Sequence, residues 1–172
     1  MAEKNTSITL KRYTSGFTYR EYIAQIQRNS EDFAQYYERG HLSADDRAFF
    51  QRAGQVHGGF ARLLVISEDW CPYAIRAVPV MARIAEAAGA EIRVFTRDDN
   101  PDIMQQFLNQ GKFNSIPVAA FYTDDMKELC RWIEKPGTVM IRPDNTLPPR
   151  QDFQQESARE MRLLLAECLD LR

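Results

Sequence analysis

The apolar and polar positions of the chain follow a helical period up to about residue 59. Two segments in this region, TYRE at Thr18 and SADD at Ser43, place a carboxylate three positions after a hydroxyl residue, as in an N-terminal capping box. Apolar residues recur on one helical face behind each of them, and Gly58-Gly59 then interrupts the pattern. Residues 1–59 are therefore predicted to form an N-terminal helical extension.

After Gly59, patterns typical of strands and helices alternate. ARLLVIS at residues 61–67 is a short apolar run, as in a strand buried on both faces, and the helical stripe that begins near Cys71 ends at Gly89. Four more elements are predicted: strand EIRVFTR, a short helix capped by Asn100, a hairpin of PVAAFY and ELCRWIE, and a closing helix from about Asp152. Strand–helix–strand units imply parallel pairing, and the hairpin adds antiparallel strands. The predicted fold class is α/β, with a mixed sheet of about four strands flanked by helices in a domain of residues 60–172.

Charge and hydropathy narrow the classes of function. The chain has 172 residues, with 22 Lys+Arg, 24 Asp+Glu and a net charge of -2. It contains no run of five or more like charges, which argues against a nucleic-acid partner. The first residues lack the apolar stretch of a signal peptide, and the longest apolar runs are too short to cross a bilayer. We expect no membrane association and a cytoplasmic location.

The three cysteines, Cys71, Cys130 and Cys168, do not suggest a disulfide framework, because their number is odd and their spacing is unpaired. Neither histidine is close to a cysteine in sequence, so the spacing of a zinc site is missing. No metal and no cofactor are expected. Cys168 is predicted to lie on the apolar stripe of the closing helix and Cys130 in the hairpin, both as packing residues.

Cys71 is the candidate reactive residue, since it lies between a predicted strand and the helix that follows it. The unpaired backbone N–H groups at a helix start favour a thiolate over a thiol, and the thiolate is the nucleophile. Pro72 suits the first helical turn, and Trp70 would offer a flat apolar surface. Glu68 and Asp69 would raise the pKa of the thiol if they pointed at it, so the direction of the shift stays open. The alternative is a small, buried and inert cysteine.

Two prolines extend this pattern. Pro79 lies inside the predicted helix, eight residues after Cys71, and Pro117 in SIPV opens a strand. WCPYAIRAVP and SIPV together resemble the thioredoxin superfamily, whose signature is a tryptophan, Cys-x-x-Cys, a helix-kinking proline and a later cis-proline. The resemblance covers about residues 61–172 and implies a thioredoxin-like fold. The helical extension is similar to that of a bacterial thioredoxin-like subgroup.

The resemblance also implies roles for individual residues. Cys71 aligns with the attacking cysteine, and five residues align with substrate-binding positions: Trp70, Pro72, Tyr73, Ile116 and Pro117. The backbone of Ile116 would pair with an extended substrate beside a cis bond to Pro117. The alternative for Pro117 is an ordinary trans proline that opens an edge strand.

Two positions depart from the family pattern. Ala74 occupies the place of the resolving cysteine, and Val65 stands where thioredoxins keep a buried carboxylate. Both losses fall on the second half of the thiol–disulfide cycle. We therefore expect a monothiol oxidoreductase in which Cys71 attacks a protein disulfide or a low-molecular-weight thiol adduct, and an external thiol reductant releases it.

Three other functions stay open. The fold is also compatible with a redox-inactive module that binds peptides or proteins beside Pro117, or with a peroxide-sensing thiol that stops at sulfenic acid. CPYA is similar to the Cys-Pro-Tyr-Cys of glutaredoxins, which can work from one cysteine with glutathione. No Gly-Gly-x-Asp-like carboxylate site is present at residues 135–139, however.

Overall fold

A computed structural model of the chain describes residues 7–138, 141–146 and 152–171. Four helices precede the first strand: α1 (Leu10–Thr14), α2 (Tyr19–Gln25), α3 (Ser30–Arg39) and α4 (Ala44–Gln55). The other elements are β1 (Arg62–Ser67), α5 (Pro72–Ala88), β2 (Glu91–Thr96), α6 (Pro101–Met104), a 3₁₀ turn (Gln105–Phe107), β3 (Val118–Tyr122), β4 (Glu128–Ile133) and α7 (Phe153–Leu169). The strands form one sheet in the order β2-β1-β3-β4. β1 and β2 are parallel, and the other two pairs are antiparallel, which confirms the predicted mixed sheet.

Helix α5 begins at Pro72, with Cys71 as its N-cap residue, and contains Pro79. It ends at Gly89, whose φ of 68° lies in the left-handed region that glycine adopts without strain. The buried face of α5 packs against α3, α4 and α7 on one side of the sheet. The predicted start and end of this helix are confirmed.

The capping signals of the extension are confirmed at Thr18 and half confirmed at Ser43. Thr18 Oγ1 accepts the backbone N–H of Glu21 at 3.2 Å, and the Glu21 carboxylate accepts the backbone N–H of Thr18 at 2.9 Å. Ser43 Oγ accepts from the backbone N–H of Asp46 at 3.1 Å. The carboxylate of Asp46, however, pairs with Arg162 of α7 at 2.8 Å. It therefore links the extension to the closing helix.

The N-terminal helices share one hydrophobic core with the sheet. Tyr13 is fully buried, and its hydroxyl donates to the backbone oxygens of Leu63 in β1 and Glu91 in β2, each at 3.1 Å. Phe17 and Val94 exchange backbone hydrogen bonds of 2.9 and 2.7 Å along the outer side of β2. The extension therefore covers one edge of the sheet. The division at residue 59 stays a prediction.

Cys168 is exposed, so the prediction that it lies on the core stripe of α7 is wrong. The buried stripe of this helix is formed instead by Phe153, Ala158, Met161 and Leu165. Cys168 touches the edge strand β4 through its sulfur, which lies 3.0 Å from the carbonyl oxygen of Leu129, and the residue stays exposed. Cys130 lies in β4 and is partly buried, as predicted for a hairpin residue.

Within residues 7–138, 141–146 and 152–171, no helix combines the length and the hydrophobicity that a membrane span requires.

Helix α4 approaches the end of α5 closely at Gly54. A Cβ atom on Gly54 would collide with the carbonyl oxygen of Ala88 and lie 2.9 Å from its carbonyl carbon. Both are backbone atoms, so a change of side-chain rotamer cannot relieve the clash. In an open helix, Gly→Ala stabilises by about 1 kcal/mol. Here we expect Gly54→Ala to lower the free energy of unfolding by about 1–3 kcal/mol, because two helix backbones must move apart.

Urea denaturation measures this free energy, and Gln51→Ala on the exposed side of the same helix is the matched control. A stabilised Gly54→Ala protein would show that α4 and α5 are packed more loosely than described.

Candidate active site

Cys71 lies at the junction between β1 and α5, at the carboxyl end of the parallel strand pair. Its sulfur is next to the first turn of α5, where the backbone N–H groups of Ala74 and Tyr73 lower the pKa of the thiol. Neither N–H makes a well-formed cap hydrogen bond with the side chain, so their effect is that of nearby dipoles. The predicted position of the cysteine at a helix start is confirmed.

The peptide bond between Ile116 and Pro117 is cis, as predicted, and it lies beside the sulfur. The thiol of Cys71 donates to the carbonyl oxygen of Ile116, with Sγ and O 3.7 Å apart. The next carbonyl, that of Pro117, accepts the backbone N–H of Glu134 at 2.7 Å. The end of β4 thus holds the proline peptide against the start of α5. This brings together residues 45 positions apart in sequence.

Burial changes the expected electrostatics of Cys71. The residue is only 5% exposed, and desolvation is the largest effect on its thiol. The backbone dipoles of Ala74 and Tyr73 and the charge of Arg97 lower the pKa, but burial outweighs them and Glu134 adds to it. The pKa of Cys71 is therefore raised above its ordinary value. The sequence left the direction of this shift open, and burial turns it toward the neutral thiol in the resting protein.

The carboxylates next to Cys71 in sequence are held by other groups. Asp69 Oδ2 accepts the backbone N–H groups of Gln27 and Arg28 at 3.0 and 3.1 Å, both in the turn between α2 and α3. Glu68 Oε1 accepts the backbone N–H of Asp98 at 3.1 Å. The carboxylate among the main influences on the thiol is instead Glu134, which lies just after β4.

The residues predicted to bind substrate surround the sulfur as a rim. Trp70 is 42% exposed, and the guanidinium of Arg97 lies 5.1 Å from the centre of its indole ring. On the other side, Tyr73 stacks on Phe153 of α7 with ring centres 5.8 Å apart. Lys135 Nζ lies 5.2 Å from the centre of the Tyr73 ring. Pro72 is exposed between these two groups.

Sequence reasoning missed Arg97, Glu134 and Lys135. Arg97 directly follows β2, the parallel neighbour of β1, and the carboxyl ends of parallel strands meet at one edge of a sheet. That rule was sufficient to find it. The other two follow β4, whose position beside the site depends on the register of the hairpin, which the sequence does not give.

The two positions that lack family side chains are both fully buried. Ala74 lies in the first turn of α5, and Val65 lies in β1. The polar pair buried nearby comes from elsewhere, since the hydroxyl groups of Tyr22 in α2 and Ser67 in β1 are 2.8 Å apart. Burial raises the pKa of Tyr22, and the charge of Cys71 also acts on it. The extension therefore contributes a buried hydroxyl to the surroundings of the thiol.

Cys130 and Cys168 lie at the other end of the sheet. Cys130 pairs with Phe121, which in turn pairs with Leu63 near the start of β1, whereas Cys71 follows the end of that strand. Cys168 Sγ is 3.0 Å from the carbonyl oxygen of Leu129. All three cysteines are within the described residues, and none of them forms a disulfide there.

Comparison with known proteins supports the same fold. A family model described as thioredoxin matches residues 16–142. A crystal structure of a protein of unknown function from Pseudomonas aeruginosa superposes with a TM-score of 0.64 at 14% identity, covering 95% of this chain and 96% of that one. The crystal structure of an HIV epitope-scaffold gives a TM-score of 0.63 at 15% identity, covering 92% and 93%. No curated protein matches the sequence. The predicted thioredoxin-like fold, with helices before the sheet, is confirmed.

The two charges that act on Cys71 predict opposite effects on its alkylation. Removing a cation disfavours the thiolate, and removing an anion favours it. At pH 8 we expect Arg97→Gln to slow the reaction of Cys71 with iodoacetamide and Glu134→Gln to accelerate it, each by roughly two- to tenfold. A background of Cys130→Ser and Cys168→Ser leaves one reacting thiol, and the inflection of rate against pH gives its pKa.

The two substitutions are controls for each other, since general loosening of the site would accelerate both variants. The unfolded chain in denaturant supplies the ordinary thiol pKa, below that of the folded protein. Changes in the same direction, or a folded-state inflection below that of the unfolded chain, would contradict the described electrostatics.

Proposed function

The chain belongs to the thioredoxin family, and we propose that it is a thiol–disulfide oxidoreductase that works through Cys71 alone. The observation that carries this proposal is the position of one sulfur. Cys71 Sγ lies at the first turn of α5 and 3.7 Å from the carbonyl oxygen of Ile116, beside the cis peptide to Pro117. One small site thus contains a nucleophile, a helix start and an irregular peptide with which an extended substrate can pair.

The first step is an attack on a disulfide. The thiolate of Cys71 attacks one sulfur of R–S–S–R′, the S–S bond breaks, and R′S⁻ leaves and takes up a proton. The product is a mixed disulfide between Cys71 and R. Arg97 and the first N–H groups of α5 stabilise the thiolate before the attack. The exposed ring of Trp70 offers an apolar surface to the incoming chain.

The second step needs a thiol from outside the chain. Ala74 has no sulfur, and Cys130 lies at the opposite end of the sheet. An external thiol R″SH attacks the mixed disulfide, forms R–S–S–R″ and returns Cys71 as a thiolate. Over the cycle, R–S–S–R′ and R″SH become R–S–S–R″ and R′SH, and attack of a second external thiol on R–S–S–R″ releases RSH and completes the two-electron reduction. We propose protein disulfides or low-molecular-weight thiol adducts as substrates, in a reducing compartment such as the cytoplasm.

One observation favours a second candidate, a redox-inactive module that binds extended peptides beside Pro117. The thiol of Cys71 is almost fully buried and its pKa is raised, which reduces the thiolate fraction at neutral pH. Peptide binding that is equal in the protein and in Cys71→Ser, with no turnover in either, would favour this candidate.

A mixed-disulfide substrate tests the oxidoreductase directly. We expect a peptide disulfide of glutathione to add one thiol component to Cys71, visible by intact mass, and to be turned over when reduced glutathione is supplied. In a chain that carries Cys130→Ser and Cys168→Ser, Cys71→Ser removes both the adduct and the turnover, because no thiol is left. The chain with Cys130→Ser and Cys168→Ser alone is the matched control and retains both. Turnover that survives when all three cysteines are replaced would rule out the mechanism.

Restoring a second thiol tests the geometry of the site. Ala74 lies one helical turn after Cys71, so we expect Ala74→Cys to form a reversible disulfide with it and to reduce protein disulfides with a dithiol as electron donor. Formation of the bond lowers the intact mass by about 2 Da. Ala74→Ser has a side chain of similar size and is the control for steric effects. If Ala74→Cys folds with both thiols reduced under oxidising conditions, the start of α5 does not have the described geometry.

A further inference from the structure

Two thiols that the proposed mechanism does not use lie together where α7 crosses β4. Cys168 Sγ donates to the carbonyl oxygen of Leu129 at 3.0 Å. That carbonyl belongs to the peptide bond that joins Leu129 to Cys130. One exposed thiol therefore touches the backbone of the residue that carries a second thiol.

The side chains of these cysteines belong to facing surfaces. Trp132 Nε1 donates to Glu160 of α7 at 2.9 Å, and alternate residues of a strand point to the same side. Cys130 is therefore on the face of β4 that α7 covers. Cys168 follows Glu160 by eight residues, which places both on one face of the helix. The contacts follow in order along the two elements, from Trp132 with Glu160 to Leu129 with Cys168.

The sheet is irregular at this point. Phe121 pairs with Cys130, but the next residue, Tyr122, pairs with Glu128, so Leu129 is left out of the ladder. The carbonyl oxygen of this unpaired residue accepts the thiol of Cys168.

From this geometry we infer that Cys130 and Cys168 form a second redox centre, a reversible disulfide that fastens the end of α7 to β4. The two Cα atoms of a disulfide are usually 4.4–6.8 Å apart. We expect a small shift of the last helical turn to bring the two Cα atoms into this range, and rotation about χ1 of Cys168 then turns its sulfur from the Leu129 carbonyl toward Cys130. The difference in exposure assigns the order: Cys168 is exposed and reacts first, and the partly buried Cys130 resolves.

The oxidant is a low-molecular-weight disulfide, R–S–S–R. The thiolate of Cys168 attacks one of its sulfurs, and R–S⁻ leaves and is protonated. The thiolate of Cys130 then attacks Sγ of Cys168 and releases the second R–SH. Two protein thiols lose two electrons and two protons, and the small disulfide becomes two thiols. The reaction does not involve Cys71, so it is independent of the proposed oxidoreductase.

The test uses the full chain carrying Cys71→Ser, incubated with oxidised glutathione at pH 8.5. We expect a product about 2 Da lighter with no retained glutathione, and a non-reduced peptide map that joins the peptides of Cys130 and Cys168. The bond closes a loop of about 38 residues, so the melting temperature should rise by roughly 5–10 °C and return on treatment with dithiothreitol.

The single variants assign the order of attack. Cys130→Ser in the same background should stop at a glutathione adduct on Cys168, and Cys168→Ser should react much more slowly. A stable glutathione adduct on the chain that retains both cysteines, or a cross-link between two molecules in place of the internal bond, would overturn the inference. Because Cys71 is absent, either result leaves the oxidoreductase proposal untouched.

Discussion

Desolvation of one sulfur is the constraint around which the site is arranged. The backbone dipoles of Ala74 and Tyr73 and the charge of Arg97 stabilise a thiolate at the start of α5 and so lower the pKa of Cys71. The same position lies at the carboxyl end of a buried sheet, where removal of water favours the neutral thiol, and that effect is the larger one. Burial therefore favours the protonated thiol of Cys71 in the resting protein. Any change that brings water or a polar group to the sulfur would shift the equilibrium from thiol toward thiolate.

The N-terminal extension is part of this arrangement. Asp69, two residues before Cys71, is held by the backbone of the turn between α2 and α3, and the side-chain amide of Asn29 donates to the carbonyl oxygen of Asp69 at 2.9 Å. Tyr22 places its hydroxyl against Ser67 at the end of β1. These contacts hold the carboxylate of Asp69 in the turn between α2 and α3. They also make the geometry of the loop before Cys71 depend on a turn that precedes it by about forty residues.

Local signals in the sequence were sufficient for much of the fold. Gly89, the capping box at Thr18 and the apolar run before Cys71 each identify an element boundary within a few residues. Asn100 is an example of a contact that local sequence signals do not predict. It was predicted to cap α6, but it makes no side-chain cap bond there, because its amide donates to Thr96 and its oxygen accepts from Arg12. A partner 88 residues away in sequence leaves no local pattern.

The candidate site likewise has one part that the sequence predicts and one part that it does not. A motif with fixed spacing predicts that Cys71 and Pro117 lie together, and the structure places Cys71 beside the peptide bond before Pro117. The direction of the pKa shift of Cys71 was not predicted. It depends on how deeply the sulfur is buried and on Glu134, whose position beside the site is set by the pairing register of β3 and β4. The burial of Cys168 was predicted wrongly for a related reason, since helical periodicity gives the direction of a side chain but not how much of it the neighbouring strand covers.

The bond between the Cys71 thiol and the Ile116 carbonyl links protonation to docking. An extended chain that pairs with this carbonyl competes with the sulfur's proton for the same acceptor. Such pairing would weaken the hydrogen bond that holds the proton on the sulfur, and by thermodynamic reciprocity a deprotonated sulfur would leave the carbonyl freer to pair. Under the proposed function, Cys71 would thus stay protonated until a substrate pairs beside it, which limits its reaction with small electrophiles.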